Sequence, residues 1–276
     1  MTSSGIDSSM LGHYSEGIEQ DRLARGRGQM ERLRTQEILA RHLPPPPAVV
    51  LDVGGAAGVH ALWLAAKGYE AHLIDPVPLH IEQATRASEQ ADDRPLARVV
   101  LGDARHLDRP DASIDIVLLL GPLYHLPDRE DRLQALREAK RVVRSGGVVF
   151  AVGISRFASL CSGLSEGFLA DPAFGRIVAQ DLRDGQHRNP TNHPGYFTTA
   201  FFHHPDELQA EVREVGLEIV EFAGIEGPAS WMVPDFPAWW DDPTRRELLL
   251  MTSRAVEHEP TLMGLGPHLM VVANNG

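Results

Sequence analysis

Residues 48–76 read AVVLDVGGAAGVHALWLAAKGYEAHLIDP, and this stretch decides the fold. Ala48 to Val53 is a short apolar run that ends at turn residues, which is typical of a buried strand. The small residues that follow allow a ligand to approach the backbone closely. A helical stretch comes next, and a second apolar run ends in Asp75. The stretch therefore predicts a strand, turn, helix and strand with a ligand crevice beyond the strand ends.

The turn residues indicate which ligand the crevice takes. An acid that closes the second strand can accept hydrogen bonds from ribose hydroxyls, so we expect a nucleoside. A dinucleotide fingerprint fits poorly because Ala56 and Val59 fall where that pattern needs glycine, and no lysine follows the turn as a phosphate-binding loop requires. The spacing that fits is Asp-x-Gly-x-Gly/Ala-x-Gly, filled by Asp52, Gly54, Ala56 and Gly58.

With this spacing the chain resembles the class I S-adenosylmethionine (SAM)-dependent methyltransferases, and three later segments agree. They are LGDA at 101–104, SIDIVLLLGPLYHL at 113–126, and EAKRVVRSGG at 138–147 before a strand at 148–153. The segments come in order over roughly a hundred residues, which makes the resemblance specific. It implies an α/β, Rossmann-like sheet that is mostly parallel with an antiparallel last strand. GPLYHL and ISRFASL look like an actinobacterial branch with small substrates.

The resemblance also implies the cofactor, SAM, with S-adenosylhomocysteine (SAH) as its product. For two of the acids, the residues alone also allow a second interpretation. Asp75 precedes Pro76 and suits an ordinary turn, and Asp103 suits a cap. Ala56 and Ala57 depart from the glycine-rich form of the turn, so their methyl groups either tighten the site or lower cofactor affinity. The residues expected to bind the cofactor are Asp52, Gly54, Gly55, Ala56, Gly58, Asp75, Pro76, Asp103, Ala104 and Leu120.

Composition narrows the partners. The chain has 276 residues with 26 basic and 38 acidic side chains, a net charge of −12, which argues against a nucleic-acid partner. The arginines between Arg22 and Arg34 alternate with acids, so we interpret them as a solvated helix face. Cys161 is the single cysteine, the opening MTSSGIDSS lacks signal-peptide character, and the apolar runs are too short for a membrane span. We expect a cytoplasmic protein with a small-molecule substrate. The oligomeric state stays open.

The chain reads as one methyltransferase domain over 1–276. An amphipathic helix at 23–43 and the prolines 44–47 form a helical N-terminal cap, 1–47. The SAM-binding core spans 48–154. A lid insertion, 155–202, leaves the carboxyl end of strand five and therefore roofs the site. The rest of the core, 203–276, contains strand six at 216–225, a second insertion at 226–267 and a last strand at 268–273.

Methyl transfer needs the nucleophile, the methyl carbon and the sulfur in line. His125 follows strand four and is the best candidate for a base, with Tyr124 beside it to orient the substrate. Arg156 is placed to clamp a carboxylate. We expect no metal, although His187, Asn189, His193, His204 and Asp206 lie close along the chain. Arg34 is expected on an exposed helix face, with closure over the cofactor as the alternative. Trp231, Trp239 and Trp240 are expected in packing, with a cage around the sulfonium or an amine as the alternative. The residues expected to contact substrate are Tyr14, His125, Arg156, Tyr196, His203 and Trp231.

Three other functions stay open. The same fold supports other uses of the sulfonium, such as a cyclisation that releases methylthioadenosine. A SAM-binding regulatory subunit would show no turnover, and a nicotinamide oxidoreductase would be stabilised by NADH instead of SAH. The acceptor atom, whether oxygen, nitrogen, carbon or sulfur, is not readable because fold does not fix function.

Overall fold

A computed structural model of the chain describes residues 18–91 and 94–276. Five parallel strands form the part of the sheet that carries the predicted cofactor turn, in the order β3-β2-β1-β4-β5. The strand that enters the turn lies beside β2 and is paired with it along its whole length, so the turn starts at the carboxyl edge of the sheet. The five strands are β1 (Val49–Val53), β2 (Glu70–Asp75), β3 (Arg98–Leu101), β4 (Ile114–Leu119) and β5 (Val143–Ser155).

The last strand runs antiparallel, as predicted. Strand β9 (His268–Asn274) lies between β5 and β8 (Glu218–Gly224) and is antiparallel to both. At the end of β5, a small ribbon of β6 (Gln186–His187) and β7 (Ala200–His203) extends the sheet, with β7 parallel to β5. This ribbon belongs to the predicted lid and joins it to the sheet.

Helices cover both faces of the sheet. Leu136 and Leu208 belong to the core on one face, and Ile38, Leu64 and Phe150 to the core on the other. Several helices begin at an aspartate whose side chain accepts a backbone N–H, as at Asp128 and Asp171, which satisfies donors left free at a helix start. The helices are α1 (Gly26–His42), α2 (Val59–Ala66), α3 (Pro78–Glu89), α4 (Arg129–Val142), α5 (Ala158–Ser165), α6 (Pro172–Asp184), α7 (Pro205–Glu214), α8 (Ala229–Met232), α9 (Phe236–Asp241), α10 (Pro243–Val256) and α11 (Pro260–Met263). Short 3-10 turns span Ile18–Ala24, Pro122–His125, Phe168–Ala170 and Pro194–Tyr196.

The second insertion packs on the N-terminal helix. Met30 of α1 forms an apolar cluster with Phe236, Trp240 and Leu249, so Trp240 has the packing role expected for it. Trp239 packs against the same cluster from its half-buried position. The cap and the second insertion therefore form one layer beside the sheet.

The expectation of a solvated helix face is wrong for Arg34. Its side chain is fully buried between α1 and the second insertion, where it bonds the carboxylates of Glu37 and Glu257 and the carbonyl of Ile225. The one-dimensional charge pattern missed this because the burial comes from residues about two hundred positions away. An arginine in such a place needs carboxylate partners, since burial of an unpaired charge is costly.

Two predicted boundaries also move. The N-terminal helix begins at Gly26 rather than Leu23, because the chain before it forms a 3-10 turn. Strand five is longer than predicted at both ends, and its pairing with β4 shifts register between Ile114 and Ile116. In the described part of the chain, no helix has the length and apolar character needed to span a bilayer.

Candidate active site

The turn after β1 has a backbone conformation and a close packing that depend on its glycines. Gly54 and Gly58 have φ of 70° and 87°, values that favour glycine, and Ala56 is also left-handed at 47°. A methyl group added at Gly54 would lie 2.8 Å from Cγ of Pro122, and one at Gly55 would lie 2.7 Å from Oδ2 of Asp52. The glycines are therefore required both by the backbone conformation and by close packing.

Asp75 ties this turn to the next helix. Its Oδ2 accepts the N–H of Ala56 at 2.9 Å, and its Oδ1 accepts the N–H of Val77 at 2.9 Å and faces Nδ1 of His80 at 2.9 Å. Asp75 lies at the carboxyl end of β2, and only 3% of the residue is exposed. It therefore positions the turn, and this position is the one at which we predict binding to ribose.

Asp52 is the buried acid at the end of the neighbouring strand. Burial raises the pKa of its carboxyl, the charge of Asp75 raises it further, and the N–H of Ala61 opposes them, with a result of about 7. Its Oδ2 is buried and has no hydrogen-bond partner. A buried acceptor without a donor is costly, so the site fits a ligand that brings one, such as the amino group of SAM.

The other predicted cofactor residues lie around the same edge. Burial alone would raise the pKa of Asp103, but the bonds and charge of Arg105 lower it, and Arg105 contacts the carboxylate at 2.6 Å. Oδ1 of Asp103 also accepts the N–H of Arg105 at 2.9 Å, which is the capping interpretation. An adenine amino group that bonded Asp103 would share the Asp103 carboxylate with Arg105. Ala104 is buried, and Pro76 and Leu120 are half-buried.

A cavity of about 240 Å³ lies between the lid, the end of β5 and the second insertion. Aromatic and basic side chains dominate its wall, which suits a planar ligand with a polar group. The described residues that line it are Arg22, Tyr124, Ile154, Ala158, Ser159, Ser162, Phe174, His187, Gly195, Tyr196, Phe197, Phe202, Trp231, Pro267 and His268.

Three of the predicted site residues meet at this cavity: Tyr124, Tyr196 and Trp231. Tyr124 also connects it to the predicted cofactor turn. A methyl group added at Gly121 would lie 3.6 Å from the Tyr124 hydroxyl and 3.3 Å from the carbonyl oxygen of Gly54. The cavity and the turn are therefore neighbours across Gly121.

The remaining predicted residues lie elsewhere. His125 packs beside the cavity wall, with its ring 4.7 Å from that of Tyr124 and 5.8 Å from that of Phe197. Arg156 bonds the carboxylate of Glu207 at 2.5 Å and the carbonyl of Phe202 at 3.2 Å, away from the cavity wall.

His203 is fully buried under Gly153, with Nε2 3.4 Å from Glu211. Tyr14 lies outside the described residues. Contact of any of these residues with substrate stays a prediction.

An ion cluster that the sequence did not reveal borders the cavity: Arg22, Glu31, Glu226 and His268. Arg22 bonds both oxygens of Glu31, at 2.5 and 2.9 Å, and Nδ1 of His268 lies 2.7 Å from Glu226. Burial alone would raise the pKa of Glu31, but Arg22 and His268 lower it to about 2. Burial lowers the pKa of the adjacent His60 to about 4. No local motif marks the cluster, because its members come from three distant segments, the N-terminal stretch with Arg22 and Glu31, the second insertion and the last strand.

We expect the cluster to make stability depend on alkaline pH. Burial alone would lower the pKa of His268, but Glu226 and Glu31 raise it from 6.5 to about 9. A raised pKa contributes stability below pH 6.5, and this contribution disappears as pH rises through about 9. Urea denaturation between pH 6.5 and about 9 gives the unfolding free energies of the wild-type protein and of His268→Gln. The wild-type value minus the variant value should fall as the pH rises. A flat difference would contradict the assignment.

Comparison with known proteins places this fold and site in a family. Residues 51–151 match the family described as a methyltransferase domain. A ubiquinone/menaquinone biosynthesis C-methyltransferase (UbiE) from Acidiphilium cryptum is 30% identical over 227 residues, 79% of this chain and 84% of that protein. A 2-methyl-6-phytyl-1,4-hydroquinone methyltransferase from Synechocystis is 28% identical over 200 residues, 71% of this chain and 54% of that protein.

A solved structure agrees on the fold. It is the putative methyltransferase of Haloferax volcanii, solved in complex with the Trm112 methyltransferase activator. The two structures superpose with a TM-score of 0.61 at 18% sequence identity, over 98% of this chain and 99% of the Haloferax chain. With the glycine turn, the buried acids at two strand ends and the antiparallel last strand, these similarities lead to one conclusion. The chain belongs to the class I SAM-dependent methyltransferases.

Proposed function

We propose that this methyltransferase transfers the methyl group of SAM to a small hydroxylated aromatic acceptor held in the cavity. The observation that supports this most is the position of Tyr124, which lines an aromatic cavity and lies next to Gly121 and the cofactor turn. An acceptor seated there would have one edge toward the cofactor. Methyl transfer requires that arrangement.

The shape of the cavity favours a small planar molecule. Sites for drug-sized ligands have volumes of about 300–1,000 Å³, and this cavity, about 240 Å³, lies below that range. Aromatic side chains prefer offset or edge-to-face contact with other rings. Phe174, Tyr196 and Phe202 supply such faces at this wall. A polymer would need an open groove and a less acidic surface.

The relatives support an aromatic acceptor. The names of the Acidiphilium and Synechocystis proteins place one in quinone biosynthesis and give the other a hydroquinone as its acceptor. A hydroquinone is a planar ring with hydroxyl groups, and it matches the aromatic wall and its polar side chains. We extend this acceptor class to the present chain.

The residues of the site would share the work as follows. SAM, when bound, supplies an electrophilic methyl group. Asp75 and the turn from Gly54 to Gly58 would hold the nucleoside part, and Asp52 would accept a hydrogen bond from the amino group. Alignment of the two reactants supplies about 7–11 kcal/mol of the barrier in well-oriented reactions. The lid, by covering the cavity, keeps water from the acceptor.

Tyr124 and His125 would place the acceptor. Tyr124 lines the cavity and would contact the acceptor, whereas His125 packs against the Tyr124 ring at 4.7 Å. We therefore propose that His125 acts as a positioning residue for Tyr124. Its direct role as a base stays a prediction from the sequence.

The test is a product assay with SAM and a panel of phenols and hydroquinones. We expect one SAH for each methylated acceptor, detected by mass spectrometry. Tyr124→Phe should lower kcat/KM by about tenfold, the effect of one lost hydrogen bond of about 1.4 kcal/mol, and leave stabilisation by SAH unchanged. Tyr69→Phe is the matched control, because the Tyr69 hydroxyl bonds the carbonyl of Pro44 outside the cavity.

Three results would contradict the proposal. Release of methylthioadenosine without a methylated product would favour the cyclisation alternative. Binding of SAH without turnover on any acceptor of the panel would favour a regulatory subunit. Equal loss of activity in Tyr124→Phe and Tyr69→Phe would show that the Tyr124 hydroxyl has no specific role in placing the acceptor.

A further inference from the structure

The cavity wall carries basic side chains whose acidic partners lie behind it. Arg22, His187 and His268 line the cavity, and each contacts a carboxylate: Glu31, Asp181 and Glu226 respectively. None of these three carboxylates lines the cavity, and among the described residues of its wall there is no Asp or Glu. A ligand in the cavity therefore meets the basic member of each pair first.

His268 is held by one glutamate through both its ring and its backbone. Nδ1 lies 2.7 Å from Oε1 of Glu226, and the other oxygen of Glu226 accepts the backbone N–H of His268 at 3.3 Å. Glu226 is 2% exposed, and Oε2 of Glu31 lies 4.0 Å from Nδ1. The imidazole is held from behind, so the rest of its ring faces the cavity.

The charges of this cluster balance only in one way. Glu31 and Glu226 bring two negative charges to a poorly solvated place, and Arg22 brings one positive charge. A protonated His268 brings the second positive charge, whereas a neutral one would leave a net negative charge out of water, which is costly. The cluster is therefore neutral as a whole and positive on its cavity side.

His187 differs from Arg22 and His268 because the protein engages both of its ring nitrogens. Its Nδ1 lies 2.9 Å from Asp181, and its Nε2 lies 2.8 Å from the carbonyl oxygen of Tyr196. Both nitrogens are engaged by the protein, so His187 offers no hydrogen bond to a ligand. The anion-recognising end of the cavity is thus the end with Arg22 and His268.

This arrangement excludes the main alternative occupants. An amine or sulfonium in the aromatic wall would be repelled by the two cations, although the rings alone suit a cation. A divalent metal is disfavoured as well. Glu31, Glu226 and His268 do have ligand atoms within 4.8 Å of one another. Those carboxylates already bond Arg22 and His268, and a metal would bring a second positive charge beside them.

We propose that the acceptor is an aromatic molecule with an anionic oxygen, a carboxylate or phenolate, that lies against His268 and Arg22. This inference rests on the proposed function for the statement that the occupant is the acceptor. It adds the charge of the substrate and the residues that select it. Aromatic molecules of the same shape that carry no ionisable oxygen are poor ligands of the cavity.

The test compares two probes of equal shape, naphthoate and its uncharged amide naphthamide, on the full chain saturated with SAH. Quenching of tryptophan fluorescence reports binding, because Trp231 lines the cavity. We expect naphthoate to bind at least about tenfold more tightly, as one charge-assisted hydrogen bond of about 1.4 kcal/mol or more would give. In His268→Gln the ratio should fall close to one, with the affinity for naphthamide changed by less than about threefold.

A matched control is His258→Gln, because His258 also pairs with a glutamate, Glu221, at 2.8 Å but lies away from the cavity. Its probe ratio should equal that of the wild-type protein. If His268→Gln does not fold, Arg22→Gln takes its place, since Arg22 is 35% exposed and lies near the described N-terminal end. It should also lower the ratio.

The inference is overturned if wild-type protein binds both probes equally, if it binds neither, or if the preference for naphthoate survives in His268→Gln and Arg22→Gln. Failure of the proposed function is a separate result. Suppose that the preference for naphthoate depends on His268 but that no hydroxylated aromatic is methylated. This result would support the anion site and contradict the proposed acceptor.

Discussion

Arg132→Ala is expected to lower the free energy of unfolding by about 3–5 kcal/mol, the cost of leaving a buried charge without its partner. Arg132 of α4 is 2% exposed and bonds both oxygens of Glu211 on α7, with the shortest contact at 2.7 Å. Its guanidinium carbon also lies 3.6 Å from the centre of the Phe201 ring. The loss should be measured by urea denaturation.

Two controls separate the lost pair from a general effect of truncation. Arg137→Ala removes an arginine of the same helix whose exposed pair with Glu130 should contribute only about 0–1 kcal/mol. The double change Arg132→Met with Glu211→Leu removes both charges and should cost clearly less than Arg132→Ala. A double variant as unstable as the single one would show that packing, not the unpaired Glu211, causes the loss.

The same pair gives an acid dependence with a defined sign. Burial alone would raise the pKa of Glu211, but His203 and Arg132 lower it from 4.5 to about 2. A lowered pKa contributes stability above pH 4.5, and that contribution is lost as pH falls toward 2. The stability difference between the wild-type protein and the double variant should therefore shrink over this range.

Arg132 also fixes the segment next to the cavity. Its Nη1 donates to the carbonyls of Leu126 and Pro127, both at 2.9 Å, immediately after the turn with Tyr124 and His125. A variant that still folds should therefore bind aromatic probes less tightly while it retains SAH. Unchanged probe binding would show that the turn is held by other contacts.

Asp75→Ala is expected to abolish stabilisation by SAH and to destabilise the unliganded protein. A ligand at about 100 times its dissociation constant stabilises by about 2.7 kcal/mol, and this gain should vanish. The three groups that now contact Asp75, on Ala56, Val77 and His80, would lose their partner. Each buried unsatisfied group costs about 1–3 kcal/mol. Thermal unfolding with SAH, SAM, NADH and buffer measures both effects.

Asp75→Asn separates these two effects, since the amide retains one acceptor oxygen but no charge. It should fold better than Asp75→Ala and still show no shift with SAH. Asp108→Ala, at an exposed loop carboxylate, serves as the control and should keep the full shift. A normal SAH shift in Asp75→Asn would show that the carboxylate positions the turn without binding the cofactor.

The fold was readable because its signals are local. The apolar runs of β1 and β2 and the small residues between them stand within 29 consecutive positions, so the turn needs no distant partner to be recognised. The antiparallel β9 followed from the family resemblance alone, since the chain near His268 does not encode its direction. Tyr124 was also found from the resemblance, because it lies in the turn that comes after β4.

The candidate site was only partly readable. Arg156 has the residue type and the place of a substrate clamp, yet its guanidinium is taken up by Glu207 and Phe202. Arg34 looks like a surface residue in the sequence and is fully buried. In both cases a partner from a distant segment decides the role, and charge patterns along the chain do not report such partners.

The sequence by itself determined the strand, the glycine turn and the strand-ending acid of the predicted nucleoside site, because neighbouring residues dictate them. The tertiary structure alone decided where the proposed acceptor cavity forms and which charged residues border it. Arg22, Glu226 and His268 meet only when the N-terminal turn, the second insertion and β9 pack together. Electrostatic interaction depends on distance and burial in space, and neither quantity is set by separation along the chain.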